Sequence, residues 1–420
     1  MKNKNSLQNY KIAFIDQKGN IGGGSKFANQ LLSNFEKYHQ NIEIDYYGSL
    51  NSIEKFKISK KKLNNIRIKE LGSLKLRDKG IFSLKYSGKI FRHLQDKFFK
   101  NNDYINYYLT GNLNKELEKK LRNYDIVFFL WPYLIDLPKV KVKKAIILHD
   151  FMFKYYFGGA GSFNLNEIEK QNQYLDKWVK NSEIILTSNF MKSEFKKFYP
   201  NISEKKIHLI RVGPLTENIK NSNKIDILKR FKIDSKFILC PTVDKPHKNI
   251  FNILRAFYLV KKKYSKLKLV FCGAGTSIMN GKSLPNSIEI SNKKKDIFGL
   301  GFVTDEELNY LIKESEFTIN TSIYDAGNGS GLDAWQVGSP VVMSNIPSFK
   351  EHLNFLKVKA IMFDPNNYFD ISKKMIHTLK LSNRKKNQMI LISKKNIGKY
   401  DWKKVVNNYY NLIKNLLKNE

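Results

Sequence analysis

Short apolar runs alternate with longer amphipathic ones along this chain, and no other feature restricts its fold as tightly. An apolar run of four or five residues suits a strand buried on both faces. A longer amphipathic run suits a helix that crosses back over the sheet, so repeats of the pair give parallel α/β layers. The runs Ile12–Ile15, 126–130, 145–148 and 183–187 read as strands. Gly22-Gly23-Gly24 opens a helix over 26–35, and Ser188-Asn189 is a helix N-cap signal. The alternation restarts after Val212-Gly213-Pro214 and a polar segment over 215–224. There follow a strand over 237–240, a helix over 249–262, a strand over 267–272, the helix Asp305–Glu314, a strand over 317–320 and the strand Val341–Ser344. The expected fold is α/β, with two doubly wound domains of similar size joined near residue 214. Ligands of such sheets lie beyond the carboxyl ends of the strands, which places the expected site in the cleft between the domains.

A chain of 420 residues can build two cores, and 42% hydrophobic content with 29 Phe and 22 Tyr excludes a disordered protein. The 74 Lys and Arg against 38 Asp and Glu leave a formal charge of +36. Such an excess attracts polyanions, anionic membrane or acidic sugars. It is equally the mark of a composition rich in Lys, Asn and Ile, because the lysines are spread along the whole chain. Cys240 and Cys272 each sit in an apolar strand-like run with no His or Cys at ligand spacing, so both are expected to be free and buried, as a reducing compartment allows. The basic first 16 residues lead only into Ile12–Ile15, and the longest apolar stretch, 126–135, contains Pro132. Both are too short to span a bilayer, and a soluble or peripheral protein is expected. Residues 85–100 mix aromatic and basic side chains and suit either a packed helix or one lying on an anionic surface.

The run Tyr324-Asp325-Ala-Gly327-Asn328-Gly329-Ser330-Gly331-Leu332-Asp333 holds the candidate chemistry. Two carboxylates eight positions apart flank three glycines and a serine, and the loop runs into an apolar helix ending at Gly338-Ser339-Pro340. Glycines at a helix start let backbone N–H groups approach an anion, and the flanking carboxylates suit sugar hydroxyls. The plain alternative is a cap at Asp325 and a solvated Asp333, for which three glycines are costly. Pro241-Thr242-Val243-Asp244-Lys245-Pro246-His247-Lys248-Asn249 links a strand to a helix, where a lysine can neutralise a leaving diphosphate or simply face solvent. His149-Asp150 ends a strand of the first domain, placing an imidazole at the cleft to bond a sugar hydroxyl, unless it is a structural histidine. Residues 275–283 mimic a phosphate-binding P-loop but have five residues between the glycines rather than four, so that reading is rejected.

Together these motifs resemble the retaining nucleotide-sugar glycosyltransferases of family 4, which have a GT-B fold: two Rossmann-like domains facing across a cleft. The likeness covers nearly the whole chain and is strongest over 237–353. The family's Glu-x7-Glu motif falls on Asp325 and Asp333, its donor-phosphate lysine on Lys248, its glycine loop on residues 22–24 and its active-site histidine on His149. Residues 301–308 match the segment that lines the nucleotide base, and Ser344-Asn345-Ile346-Pro347 is a further match. Tyr400-Asp401-Trp402 resembles the start of a terminal helix that crosses back to the first domain. Two departures stand out. Thr242 occupies the place of an arginine six residues before the lysine, leaving Lys245 or His247 to substitute, or a looser hold on the pyrophosphate. Aspartate at both carboxylate positions shortens each reach by one methylene.

The resemblance implies an acceptor-side domain over 1–214, joined by a helix over 401–420, and a nucleotide-sugar domain over 215–400. It implies catalytic roles for His149, Lys248 and Asp325. Donor contacts would come from Gly23, Gly24, Thr242, Lys245, His247, Phe302, Val303, Gly327, Asn328, Gly329, Ser330, Gly331, Leu332 and Asp333, the last holding the ribose hydroxyls. The implied reaction moves a sugar, with retention, from a nucleotide diphosphate to a hydroxyl of a glycan or lipid-linked acceptor, in bacterial surface polysaccharide synthesis. No metal or other cofactor is expected, since no Asp-x-Asp or His cluster has suitable spacing. The charge adds an anionic membrane surface as a partner, with a cytoplasmic protein peripheral at the inner face; nucleic acid is not the expected partner. The rival reading is a catalytically decayed GT-B protein serving as a basic polyanion- or membrane-binding module. An epimerase or phosphorylase of the same fold is a closer rival, though no cofactor-lysine site for a phosphorylase is found.

Overall fold

A computed structural model of the chain describes residues 10–16, 23–48, 65–70, 113, 115–155, 165–216, 227–279 and 296–418. Gly22, residues 85–100, residues 217–224 and the end of the P-loop-like run (280–283) lie outside the described residues. The first half runs β1 (Ile12–Ile15), α1 (Gly23–Tyr38), β2 (Ile44–Gly48), β3 (Ile66–Glu70), α2 (Lys115–Leu121), β4 (Ile126–Phe129), β5 (Lys143–Leu148), α3 (Leu165–Lys180), β6 (Glu183–Leu186), α4 (Asn189–Phe198) and β7 (Ile207–Leu209). Then come the short α5 (Ile227–Arg230), β8 (Phe237–Pro241), α6 (Ile250–Lys261), β9 (Lys268–Cys272), β10 (Ile297–Gly299), α7 (Asp305–Glu314) and β11 (Thr318–Asn320). The chain closes with α8 (Gly329–Val337), β12 (Val341–Ser344), α9 (Pro347–Leu356), β13 (Ile361–Phe363), α10 (Tyr368–Lys380), α11 (Asn383–Ile397) and α12 (Trp402–Lys418).

The strands form two sheets. One has the order β3-β2-β1-β4-β5-β6-β7 and the other β10-β9-β8-β11-β12-β13. Every printed pairing is parallel. The central strands IAFI, IVFF and FILC are buried at every one of those residues, as a sheet covered on both faces requires. Cys240 lies opposite Phe271, so Cys240 and Cys272 point to opposite faces of the second sheet, and both are free and buried. Ser188 caps α4 by accepting from Met191 N–H, and Thr304 with Glu307 forms a capping box on α7. The terminal α12 places Val405, Val406, Tyr409 and Ile413, all fully buried, in the core of the first sheet. No helix among the described residues is long and apolar enough to cross a membrane.

One of the contacts that join the domains across the cleft is made by a carboxylate. Glu351 on α9 accepts from Asn189 N–H at 2.8 Å and Phe190 N–H at 2.6 Å, at the start of α4. It also pairs with Arg211 at 2.7 Å, which in turn lies over the Phe355 ring. A carboxylate at a helix N-terminus satisfies donors that have no partner inside the helix. This contact therefore ties the start of α4 in the first domain to α9 in the second.

Candidate active site

Each sheet has one place where successive crossovers leave in opposite directions, between β1 and β4 and between β8 and β11. A crevice opens at the carboxyl ends of the strands there. In the second sheet its two walls are the loops after β8 and β11, which carry Lys248 and Asp325. Pro246–Lys248 is a 3-10 turn, and Asn249, with φ of 59°, turns the chain from it into α6. Ile323 N–H donates to His247 O at 2.8 Å, and the Thr321 hydroxyl donates to Lys248 O at 2.9 Å, so the loops are tied together. Across them Lys248 Nζ donates to Asp325 Oδ2 at 2.6 Å, while Asp325 Oδ1 accepts from Gly327 and Asn328 N–H at 3.0 Å each. Burial alone would raise the Asp325 pKa. The Lys248 ammonium and the two N–H donors outweigh it and hold the carboxyl at about 2.

The glycine loop is open at Gly327 and close-packed at Gly331. A Cβ at Gly327 would meet nothing within 4 Å, whereas one at Gly331 would lie 2.4 Å from Asn328 Oδ1. Asn328, with φ of 47°, is wholly buried at the N-cap of α8, and among the described residues neither polar atom of its side chain has a hydrogen-bond partner. Ser330 Oγ accepts from Asn320 Nδ2 at 2.9 Å, and Asn320 Oδ1 accepts from Ser322 N–H and Oγ at 3.1 and 2.7 Å. Asn320 thus pins both ends of the loop. The only sign of it in the sequence is an amide closing an apolar strand. Leu332 packs into the core of the second sheet.

The remaining donor-side residues divide by chemistry. His247 is buried, and burial, then the Lys248 charge, lowers its pKa to about 3. It is neutral at ordinary pH and supplies no cation in place of the absent arginine. Burial also lowers the Lys245 pKa, against a smaller upward pull from Asp244. Thr242 N–H donates to Cys272 O at 2.8 Å, and Gly273, with φ of 124°, leaves only 2.0 Å between an added Cβ and Thr242 O. Phe302 is 40% exposed, while Val303 is buried.

From the first domain, Gly23 and Gly24 form the first turn of α1, which starts three residues before the expected helix. Lys26 in that helix reaches Asp305 of α7 at 2.5 Å. His149 follows β5, stacked on Trp131 at 4.2 Å and edge-on to Phe27 at 4.8 Å between centroids. Phe151 N–H donates to Tyr324 Oη at 3.1 Å, so the His149 segment meets the Asp325 loop across the cleft. Asp333 is engaged by the segment that joins the two sheets. Its carboxylate accepts from Leu215 N–H, Thr216 N–H and Thr216 Oγ1, at 2.9, 3.0 and 2.8 Å. Among the described residues no three His, Cys, Asp or Glu side chains are grouped as metal ligands would be.

Comparison with known proteins places this geometry. Residues 223–396 match the family described as Glycosyl transferases group 1. O-antigen chain mannosyltransferase B of Escherichia coli is 24% identical over 218 residues, 51% of this chain and 56% of its own. The chain spans about half the length of the curated relatives it matches. Among solved structures, the Anabaena HepE complex with UDP and glucose superposes with a TM-score of 0.65 at 12% identity, over 96% of this chain and 99% of its own. A glycosyltransferase from Rickettsia africae gives 0.65 at 17% identity, over 99% of this chain and 100% of its own. The two parallel sheets are those of a GT-B fold, and residues 223–396 within it are similar to the glycosyl transferases group 1 family.

Proposed function

We propose that this protein is a retaining glycosyltransferase that moves a sugar from a nucleotide diphosphate to a hydroxyl of a glycan or lipid-linked acceptor. The observation that carries the reading is the Lys248–Asp325 pair at the β8–β11 switch point, set beside a glycine loop that presents backbone N–H groups. An ammonium has three donors; one goes to Asp325, and two are left for the departing diphosphate. Buried amide atoms without partners cost about 1–3 kcal/mol, so a sugar hydroxyl or phosphate that bonds the Asn328 side chain recovers that cost. In the reaction the bond from the anomeric carbon to the diphosphate oxygen breaks as the bond to the acceptor oxygen forms on the same face. The acceptor's proton passes to the departing phosphate oxygen. Lys248 and the loop amides stabilise the growing negative charge, and no protein nucleophile is needed. His149, held between Trp131 and Phe27, would orient the sugar from the first domain.

Support for a nucleotide-sugar donor comes from the matched domain and from the UDP and glucose held by the structural neighbour. The test is a thermal-shift and calorimetric screen against nucleoside diphosphates and their sugars with EDTA present. A selective hit is expected; if none binds, the site does not work as proposed and the decayed, polyanion-binding reading takes its place. The charge of +36 supports association with an anionic membrane as well. In liposome flotation the protein should float with anionic vesicles and not with neutral ones, and equal behaviour would remove the membrane from the reading.

A further inference from the structure

The chain leaving β11 is tied down almost residue by residue. The Thr321 hydroxyl donates to Lys248 O at 2.9 Å and Ile323 N–H to His247 O at 2.8 Å, both within the second domain. Asp325 then accepts from Lys248 Nζ at 2.6 Å, and the Ser348 hydroxyl of α9 donates to Asp325 O. Between Ile323 and Asp325, Tyr324 reaches the other way. Its Oη accepts at 3.1 Å from the N–H of Phe151, which follows His149-Asp150 in the first domain. Its ring centroid lies 5.6 Å from that of Tyr155 and 6.0 Å from that of Phe190, at 52° and 60°. Both rings are anchored in the first domain or at its edge by other partners. The Tyr155 hydroxyl donates to Glu194 and accepts from Lys197 at 2.9 Å, and Phe190 N–H donates to Glu351 at 2.6 Å. Burial first, and then the charge of Asp150, raises the Tyr324 pKa and keeps the phenol neutral at ordinary pH.

Stacking on Trp131 and the edge contact with Phe27 place the His149 ring within its own domain, and neither contact refers to Asp325. The cross-cleft contacts of Glu351 and of Lys26 with Asp305 join α4 to α9 and α1 to α7, away from both residues. The bond at Tyr324 differs, because it joins the residue beside Asp325 to the segment that carries His149. We propose that Tyr324 is a positioning residue for transfer: its hydroxyl, by accepting Phe151 N–H, sets His149 at a fixed offset from the Lys248–Asp325 pair. This role rests on the glycosyltransferase reading, in which His149 and Asp325 meet one sugar from opposite walls of the cleft. A phenylalanine at 324 would keep the ring packing and lose only that link.

The experiment compares wild type, Tyr324→Phe, His149→Ala and the double variant. Release of UDP or GDP from UDP- and GDP-sugars is followed with water as acceptor. In Y324F kcat should fall about tenfold, the effect of a small misplacement of a reacting group. KM for the donor should stay within about twofold, because Lys248 and the loop amides that meet the diphosphate are untouched. In the H149A background the same change should cost nothing further, since Tyr324 acts through His149. Amide exchange should quicken at Phe151 in Y324F and stay as it was at Ile323, whose partner is His247 O. A residue that only added stability would lower the melting temperature, quicken both amides and cost the same in either background. A Y324F enzyme with wild-type kcat, or a loss that persists in full in H149A, overturns the proposal. Where release is too slow to follow, the His149 ring resonances in the complex with the tightest-binding nucleotide sugar decide. They should shift or split in Y324F, and unmoved resonances overturn the proposal. A wild type that binds no nucleotide sugar brings down the glycosyltransferase reading instead, and this role with it.

Discussion

Lys248→Ala is expected to lower the rate of sugar transfer by about 10²- to 10³-fold, the loss typical of removing one preorganised group that meets developing charge. Lys248 is held by Asp325 at 2.6 Å and its loop is tied to the next by two hydrogen bonds, so the ammonium is placed before the donor arrives. Its neighbours in the loop do not take over its charge easily: His247 is neutral, and Lys245 is pulled toward its neutral form by burial. The variant also leaves Asp325 as a buried carboxylate without its cation, which costs stability, so circular dichroism and a melting curve must accompany the kinetics. The readout is release of nucleoside diphosphate from whichever sugar donor binds. Affinity for the free diphosphate should fall along with turnover, since the same charge is met in both. Turnover at the wild-type rate in a folded K248A would remove Lys248 from the chemistry.

Much of this fold can be read from the residues because its central strands are apolar throughout. IAFI, IVFF and FILC announce buried parallel strands, and the glycine-rich run after Tyr324 announces the loop that Asp325 organises. The strands that escape notice lie toward the sheet edges. β2 (IDYYG) and β3 (IRIKE) break the apolar pattern with charge: Asp45, buried on β2, takes both Arg67 and Lys69 of the edge strand β3, where charged residues are tolerated and protect an edge. β7 and β13 have three residues each, too few for a period to show. The site divides the same way. Lys248 and Asp325 lie in loops that local pattern exposes, and they meet because two sheet crossovers part between β8 and β11. The partners of Asp333 come from 117 and 118 residues away in sequence, and no local spacing reveals such a contact. The Asn320 clamp is hidden for a different reason, since a single polar residue at a strand end reads as the start of a loop.

Replacing Asp325 with asparagine should have its largest effect on how stability depends on pH. Asparagine keeps the shape and an oxygen that can accept from Gly327 and Asn328 N–H, but turns an amide donor toward Lys248; the charge is what changes. A carboxyl moved from the ordinary 3.8 to about 2 in the folded protein contributes about 2 kcal/mol at neutral pH. The sign follows from the direction of that shift. The folded form binds this proton more weakly than the unfolded chain, so the contribution is fully present above pH 4 and is lost as pH falls from about 4 to about 2. Urea unfolding should therefore show D325N less stable than wild type by about 2 kcal/mol at pH 7, with the gap closing between pH 4 and pH 2. Parallel curves across that window would mean the Lys248–Asp325 pair is too well solvated to shift the carboxyl. Transfer should fall steeply in the same variant even at pH 7, because an amide that faces Lys248 both repels the ammonium from its place and accepts fewer sugar hydroxyls than a carboxylate. A stability gap that closes at low pH, with activity still missing from D325N at pH 7, would separate those two consequences of one missing charge.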